Sequence, residues 1–276
     1  MFDSCSNLQS IPLLDTNNVK SMRYMFNNCL KLQAIPQLDT SSVDDMDYMV
    51  KGCTNLTTIP QLDTSKVTSM SYMFSSCRSL QTIPLLNTSN VTDMSDMFNN
   101  CSNLQTIPLL NTSSVTNMSR MFNECKKLQT IPQLDTSNVT NINGMFDGCY
   151  NLQTVPLLNT SNVTNIGYMF TACRNLQTID LTHMKITSAS NSFYMCGECN
   201  SLTKFIIRNI DTIPTLNSTA FSDCYHFTGT VNATYNPDGL KDGRIYVPDG
   251  MVYQLKQATN WSVYADIIVP LSTLVE

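Results

Sequence analysis

Eight cysteines stand at Cys5, Cys29, Cys53, Cys77, Cys101, Cys125, Cys149 and Cys173, each 24 residues from the next. Seven prolines keep the same interval from Pro12 and Pro36 to Pro156. Equal intervals of this length oblige successive units to fold alike and to bury their apolar residues against each other. Length alone, 276 residues, would suggest one or two domains, but stacked units form one elongated body.

One unit reads Leu104-x-x-Ile107-Pro108-x-Leu110-Asn111-Thr112-Ser113-x-Val115-x-x-Met118-x-x-Met121-Phe122-x-x-Cys125. Its apolar residues recur mostly every third position, which fits neither a long helix nor a long alternating strand. A coil that turns repeatedly satisfies that spacing. The unit predicts a short strand at Leu104–Leu110, pairing with neighbouring coils in a parallel sheet. Asn111-Thr112-Ser113 reads as a corner, since these side chains bond local backbone. An extended piece over Val115–Met118 and a helical turn around Ser119–Asn123 complete the outer side. The expected fold is an α/β-type repeat solenoid: a right-handed leucine-rich-repeat coil of 24-residue units. A parallel β-sheet lines one face, short strands or helical turns line the other, and a C-terminal cap closes it.

The pattern is regular to about residue 178 and irregular over 179–227. Ile179-Asp180 replaces Ile-Pro, and Ile186-x-x-Ala189-x-x-Ser192-Phe193 echoes the Val-Met-Met-Phe phrase. Three extra residues then precede Cys199, and Phe221-x-x-Cys224 is the last variant. Residues 228–276 form the expected capping unit, with a strand at Gly243–Pro248, Asp249 as N-cap of Gly250–Thr259, and Trp261. The opening Met1-Phe2-x-x-Cys5 repeats Met25-Phe26-x-x-Cys29, so the chain is expected to be a fragment of a longer protein or to have had its first coils removed. No signal-peptide pattern opens it.

The Met-Phe-x-x-Cys-x-x-Leu-x-x-Ile-Pro and Asp/Asn-Thr-Ser-x-Val-Thr-x-Met phrases resemble the repeat units of BspA-like leucine-rich-repeat surface proteins of bacteria. The repeats of mycoplasma surface lipoproteins are similar. The tail Val247-Pro248-Asp249-Gly250…Tyr253…Asn260-Trp261-Ser262…Tyr264-Ala265 resembles the closing unit common in such proteins. The resemblance implies an extracellular or surface location. It also implies a part in adhesion, with a protein or glycan ligand on a host or neighbouring cell. It brings no catalytic residues.

The net charge of -5 argues against nucleic acid, whose phosphates need clustered Lys and Arg. No apolar run approaches the length of a membrane span. No cofactor or metal motif occurs, and no phosphate loop, nucleophile elbow or zinc helix, so an enzyme is not expected. The cysteine ladder reads first as core packing, with disulfides and metal as the other readings. Cys196-x-x-Cys199 is a redox or metal pair, or two ordinary cysteines. The stripe Met22, Met46, Met70, Met94, Met118 passes to Ile142 and Ile166, which marks it as apolar filler. His183 and His226 lie in irregular coils and offer no catalytic partner. Asp44, Asp45 and Asp47 read as a solvated face rather than a Ca²⁺ loop.

Two ladders vary and so carry the candidate binding face. After the proline stand Leu13, Gln37, Gln61, Leu85, Leu109, Gln133 and Leu157. Before the Met-Phe pair stand Tyr24, Tyr48, Tyr72, Asp96, Arg120, Gly144 and Tyr168. Tyrosine anchors interfaces and can stack on sugars. The expected function is a binding scaffold; the alternative is a structural spacer presenting another domain.

The period itself is testable. Deleting residues 101–124 should leave a cooperative melt with a modestly lowered Tm. Deleting residues 101–112 breaks the register and should abolish that melt; equal Tm values for the two deletions would contradict the repeat.

Overall fold

Backbone donors alternate between two destinations in the computed structural model, which describes residues 1–275. The N–H groups of Met118, Arg120, Phe122 and Glu124 donate to Asn141, Asn143, Met145 and Asp147 of the next coil at 2.6–2.9 Å. The N–H groups of Met121, Asn123 and Cys125 instead close tight turns onto Met118, Arg120 and Phe122 at 3.0–3.2 Å. Such turns need left-handed backbone, and Arg120 (φ 52°) and Glu124 (φ 59°) provide it. The same two positions are left-handed in the other regular coils, from Tyr24 and Asn28 to Tyr168 and Ala172. The helical turn expected over Ser119–Asn123 is therefore absent. A left-handed residue every fourth position breaks a helix, and half of its donors point to the neighbouring coil instead.

The strand expected at Leu104–Leu110 does not form in the regular coils either. Neighbours meet there through single parallel bridges, such as Ala34 with Thr58 and Thr130 with Thr154. A backbone bond precedes the proline phrase in alternate coils, as from Thr57 N–H to Gln33 O (3.1 Å) and from Gln105 N–H to Gln81 O (2.9 Å). Proline has no N–H, so a proline in every coil stops the ladder at the same place. A side chain substitutes where it can: Gln37 Nε2 donates to Gln61 O, and Gln61 Nε2 to Leu85 O, both at 2.7 Å.

Where Asp180 replaces proline the ladder resumes. β1 (Thr178–His183) pairs in parallel with β2 (Lys204–Asn209), and β3 (Arg244–Val247) and β4 (Ile268–Pro270) extend the sheet in the order β1-β2-β3-β4. Asp180 also receives both arms of Arg208, at 2.6 and 2.9 Å. The parallel sheet thus covers the last coils and not the whole face.

The core is a set of ladders. Phe74, Phe98, Phe122, Phe146 and Phe170 stack with centroids 5.5–5.6 Å apart. The methionine stripe and Ile142 and Ile166 are buried beside them. From Cys29 on, each ladder cysteine donates its thiol to a carbonyl of the preceding coil, as Cys101 Sγ does to Phe74 O (3.0 Å) and Cys125 Sγ to Phe98 O (3.1 Å). All eleven cysteines are free. Burial pushes the Cys53 and Cys101 thiols up to about 12.

The irregular coils correct the sequence register. Phe170 N–H donates to Met195 O and Ala172 N–H to Gly197 O, while Tyr194 and Glu198 take the left-handed positions. Met195-Cys196 therefore continues the Met-Phe phrase, in place of Ser192-Phe193, and the insertion is two residues between successive ladder cysteines, Cys173 and Cys199. Cys196 fills the slot of a core phenylalanine, and Cys199 Sγ bonds Phe170 O (2.9 Å).

Beyond the short helix α1 (Tyr225–Thr228), the chain crosses the end of the stack. Helix α2 (Val252–Gln257) turns Leu255 inward. Trp261 is fully buried and donates Nε1–H to Pro214 O (2.7 Å). Asp249 does not cap α2; its carboxylate accepts the Ser272 N–H at 3.0 Å. A short 3-10 turn, Asp249–Met251, intervenes before α2. No helix among the described residues is long and apolar enough to cross a membrane.

Only Cys5 is exposed among these thiols. A thiol reagent should label that one residue in the native protein and all eleven in denaturant, read by mass spectrometry. Rapid native labelling of several would contradict the thiol ladder.

Candidate binding surface

The segment after each proline alternates outward and inward. Leu13, Leu85 and Leu109 are 78%, 61% and 64% exposed, while Leu38, Leu62, Leu86 and Leu110 beside that ladder are buried. Gln37, Gln61 and Gln133 share the outward position, as does Leu157. The chain then turns at Asp15, Asp39, Asp63, Asn87, Asn111, Asp135 or Asn159. There the side chain takes the N–H two residues on, as Asp39 Oδ1 takes that of Ser41 (3.0 Å). The Ser41 hydroxyl adds a second bond at 2.7 Å. These bonds hold the Asp39, Asp63 and Asp135 carboxyls below their ordinary range, so the rim stays charged.

Between ladder and rim runs a groove along the stack. A cavity of about 700 Å³ is lined by Leu13, Asp15, Gln37, Asp39 and Asp63 among others. A second of about 520 Å³ is lined by Gln61, Asp63, Leu85, Asn87, Leu109 and Asn111 among others. Asp63 belongs to both. The rim changes along its length from carboxylates to amides. Sequence reasoning read these corner residues only as turns; the acidic run Asp15, Asp39, Asp63 was the signal it passed over.

The tyrosine ladder is differently placed. Tyr24 and Tyr48, then Tyr48 and Tyr72, stack with centroids 4.6 Å apart. They are half-buried, not exposed. Arg23 Cζ lies 5.2 Å from the Tyr24 ring, and Lys51 Nζ lies 5.0 and 4.6 Å from the Tyr48 and Tyr72 rings. Both faces of Tyr48 are thus covered by tyrosine, and the stripe offers ring edges and hydroxyls rather than faces for a sugar to stack on. Burial, then the Asp96 carboxylate, raises the Tyr72 hydroxyl to about 12. Tyr168 is exposed and stacks on Tyr194, 6.2 Å away, a partner hidden from the sequence by the register shift.

Asp47 leaves the acidic cluster to serve the fold. It pairs with Arg23 Nη1 at 2.7 Å and accepts the Ser71 N–H at 2.8 Å. His226 Nδ1 lies 2.7 Å from Asp242, and His183 sits apart from it in β1.

A family model described as "Mycoplasma protein of unknown function, DUF285" matches residues 1–107, 69–175 and 102–210. No curated protein sequence matches the chain. Among solved structures, a leucine-rich repeat protein from Bacteroides ovatus is 16% identical, covering 98% of this chain and 79% of that one, with a TM-score of 0.41. A leucine rich cell surface protein from Faecalibacterium prausnitzii is 17% identical, covering 87% and 81%, with a TM-score of 0.39. The T. pallidum leucine-rich repeat protein is 18% identical, covering 61% and 74%, with a TM-score of 0.34. At such scores the architecture rests on the contacts described above and not on these likenesses.

One acid on the variable side titrates unusually. Burial, then the nearby Glu124 carboxylate, raises Asp147 to about 6, against the opposing pull of Arg120 and Asn123. A carboxyl raised on folding favours the folded state at low pH and loses that contribution as pH climbs from about 4 to about 6. Asp147→Asn should therefore raise Tm at pH 7 and leave it unchanged near pH 4. A variant less stable than the parent at pH 7 would contradict this.

Proposed function

The chain belongs to the DUF285 family, described as Mycoplasma protein of unknown function, and carries the BspA-like leucine-rich repeat; on that premise we propose that it is a non-enzymatic scaffold binding a protein ligand along the Leu/Gln groove. The observation that carries this reading is the exposure of Leu85 and Leu109 beside a rim of fixed polar groups. Large apolar side chains are held out of water-excluding contact there, although the repeat has a polar alternative, glutamine, at the same position. A patch of that kind, with convergent polar groups, is the usual form of an interaction site.

Leu13, Gln37 and Gln61 supply the same face in the first coils. Tyr24, Tyr48, Tyr72 and Tyr168 form a secondary edge on another side of the coil. The stacked rings favour a protein over a glycan there, because hydroxyls and edges are what they present. The negative net charge speaks against nucleic acid. Residues 1–227 act as the solenoid and residues 228–276 as its closing unit, whose Trp261 is locked to Pro214. A location at the cell surface, in adhesion or host contact, follows from the resemblance of the repeat. A spacer would be expected to keep its outward ladders uniform, and the Leu/Gln alternation is not.

The test uses Leu85→Gln together with Leu109→Gln, residues the repeat itself accepts elsewhere. Surface plasmon resonance against a panel of purified host-matrix proteins should identify a ligand whose affinity falls at least about tenfold in the double variant, with Tm unchanged. Burying two leucines is worth that much or more. Undiminished binding in the double variant would move the site elsewhere. Absence of any ligand on the panel and on a glycan array would favour the spacer.

A further inference from the structure

The groove is not uniform, and its first half is rich in acceptors in a way that specifies a ligand. Four observations meet there. Asp15, Asp39 and Asp63 stack on one rim, with the Asp39 and Asp63 carboxyls held ionised by serine hydroxyls and N–H groups. Lys66 near Asp63 is the basic group that offsets them in part.

The hydroxyls of Thr16 and Thr40, residues that line the same cavity, are buried and have no hydrogen-bond partner among the described residues. Of their counterparts, Thr64 donates to Asn87 O (2.9 Å), Thr88 to Asn111 O (2.8 Å) and Thr112 to Asp135 O (2.9 Å), whereas Thr136, beside Asp135 and outside both cavities, is likewise buried without a partner among the described residues. The outward ladder repeats the deficit. Glutamine donates to the carbonyl one coil on, whereas Leu13 and Leu85 cannot. Among the described residues no donor reaches the carbonyls of Gln37 and Leu109. Beyond Asp63 the rim turns neutral at Asn87 and Asn111, where Leu85 and Leu109 stand exposed.

We propose that this groove binds an extended polypeptide segment that is basic at one end and apolar at the other. Its cations would lie against Asp15, Asp39 and Asp63, and its apolar side chains on Leu85 and Leu109. This rests on the reading of the groove as the binding site and adds the chemistry of the ligand. The three carboxylates and the Gln37 carbonyl at the acidic end are all acceptors, so a ligand rich in N–H donors serves them together. A phosphate or an acidic peptide would be repelled by the three carboxylates, which outnumber Lys66. The span fits: five stacked coils at ~4.8 Å per step cover about 19 Å, the length of roughly six extended residues at ~3.3 Å each.

The probe is a fluorescein-labelled hexapeptide of three lysines followed by three leucines. A second peptide has glutamate in place of lysine, and both are titrated into the whole chain by fluorescence anisotropy. The lysine peptide should bind, weakening severalfold when salt rises from about 0.05 to about 0.5 M. The glutamate peptide should bind at least tenfold more weakly. Asp39→Asn with Asp63→Asn keeps the corner, since Asn87 and Asn111 occupy it in other coils. That variant should weaken the lysine peptide about fivefold, the scale of two exposed ion pairs. Equal affinity for the two peptides, or an unchanged Kd in the Asp39/Asp63 variant, overturns the proposal. Should the lysine peptide fail while the Leu85/Leu109 variant still loses its matrix-protein ligand, the basic chemistry is wrong and the groove stands. If neither peptide binds and the leucines do not matter, the groove reading falls with it.

Discussion

The alternation of backbone donors between a coil's own turns and the coil beside it accounts for every N–H but one from Met118 to Cys125. The one N–H outside that alternation, at Ser119, goes to the side chain of Asn117 at 3.1 Å. Buried backbone groups must be paired. A coil only eight residues long on this side can do so without a helix or a full strand only by switching direction at each residue. The switch forces left-handed backbone at two positions per coil. For a residue other than glycine that conformation costs roughly 1–2 kcal/mol. Ser4, Asn28, Gly52, Ser76, Asn100, Gly148 and Ala172 show the compromise, small or turn-forming residues where the second switch falls, with Glu124 the exception among the regular coils.

The cysteine ladder follows from the same geometry. The carbonyl of Phe98 already accepts the Cys101 N–H at 3.0 Å, and its second lone pair faces the next coil. Cys125 fills it with a thiol at 3.1 Å. Alanine would fit the space and leave that lone pair unserved. Serine would donate more strongly but bury a more polar group. A thiol is a small hydrophobe with a weak donor, which is what the position asks for. The cysteines from Cys29 on thus serve the coil interior, and their spacing, the most visible feature of the chain, marks the period of the stack.

The period, the buried positions and the polar corners were legible in the sequence because each depends on one residue type repeated at one place. The hydrogen-bond pattern was not, since alternating turns leave no apolar periodicity distinct from that of a short helix. Proline was visible at every unit, and its effect on the strand could have been reasoned from its missing N–H. Asp180 departs from the repeat and restores the ladder that proline interrupts. Tyr194 was lost because Ser192-Phe193 imitates the Met-Phe phrase three residues early. The candidate groove was half legible: the Leu/Gln ladder was seen, but the acidic run beside it requires knowing that corner and ladder share one wall.

Proline has a second consequence that joins folding to recognition. An uninterrupted ladder would consume the carbonyls along this face, as it does between β1 and β2. With a proline in each coil, the carbonyl after it is served only if the preceding coil carries glutamine. A leucine there exposes apolar surface and frees an acceptor at the same time. One substitution per coil therefore sets both properties without touching the core beneath, since Leu38, Leu62, Leu86 and Leu110 remain buried whichever residue precedes them. The repeat fixes the scaffold through its constant residues and leaves the surface to be written coil by coil at this single position.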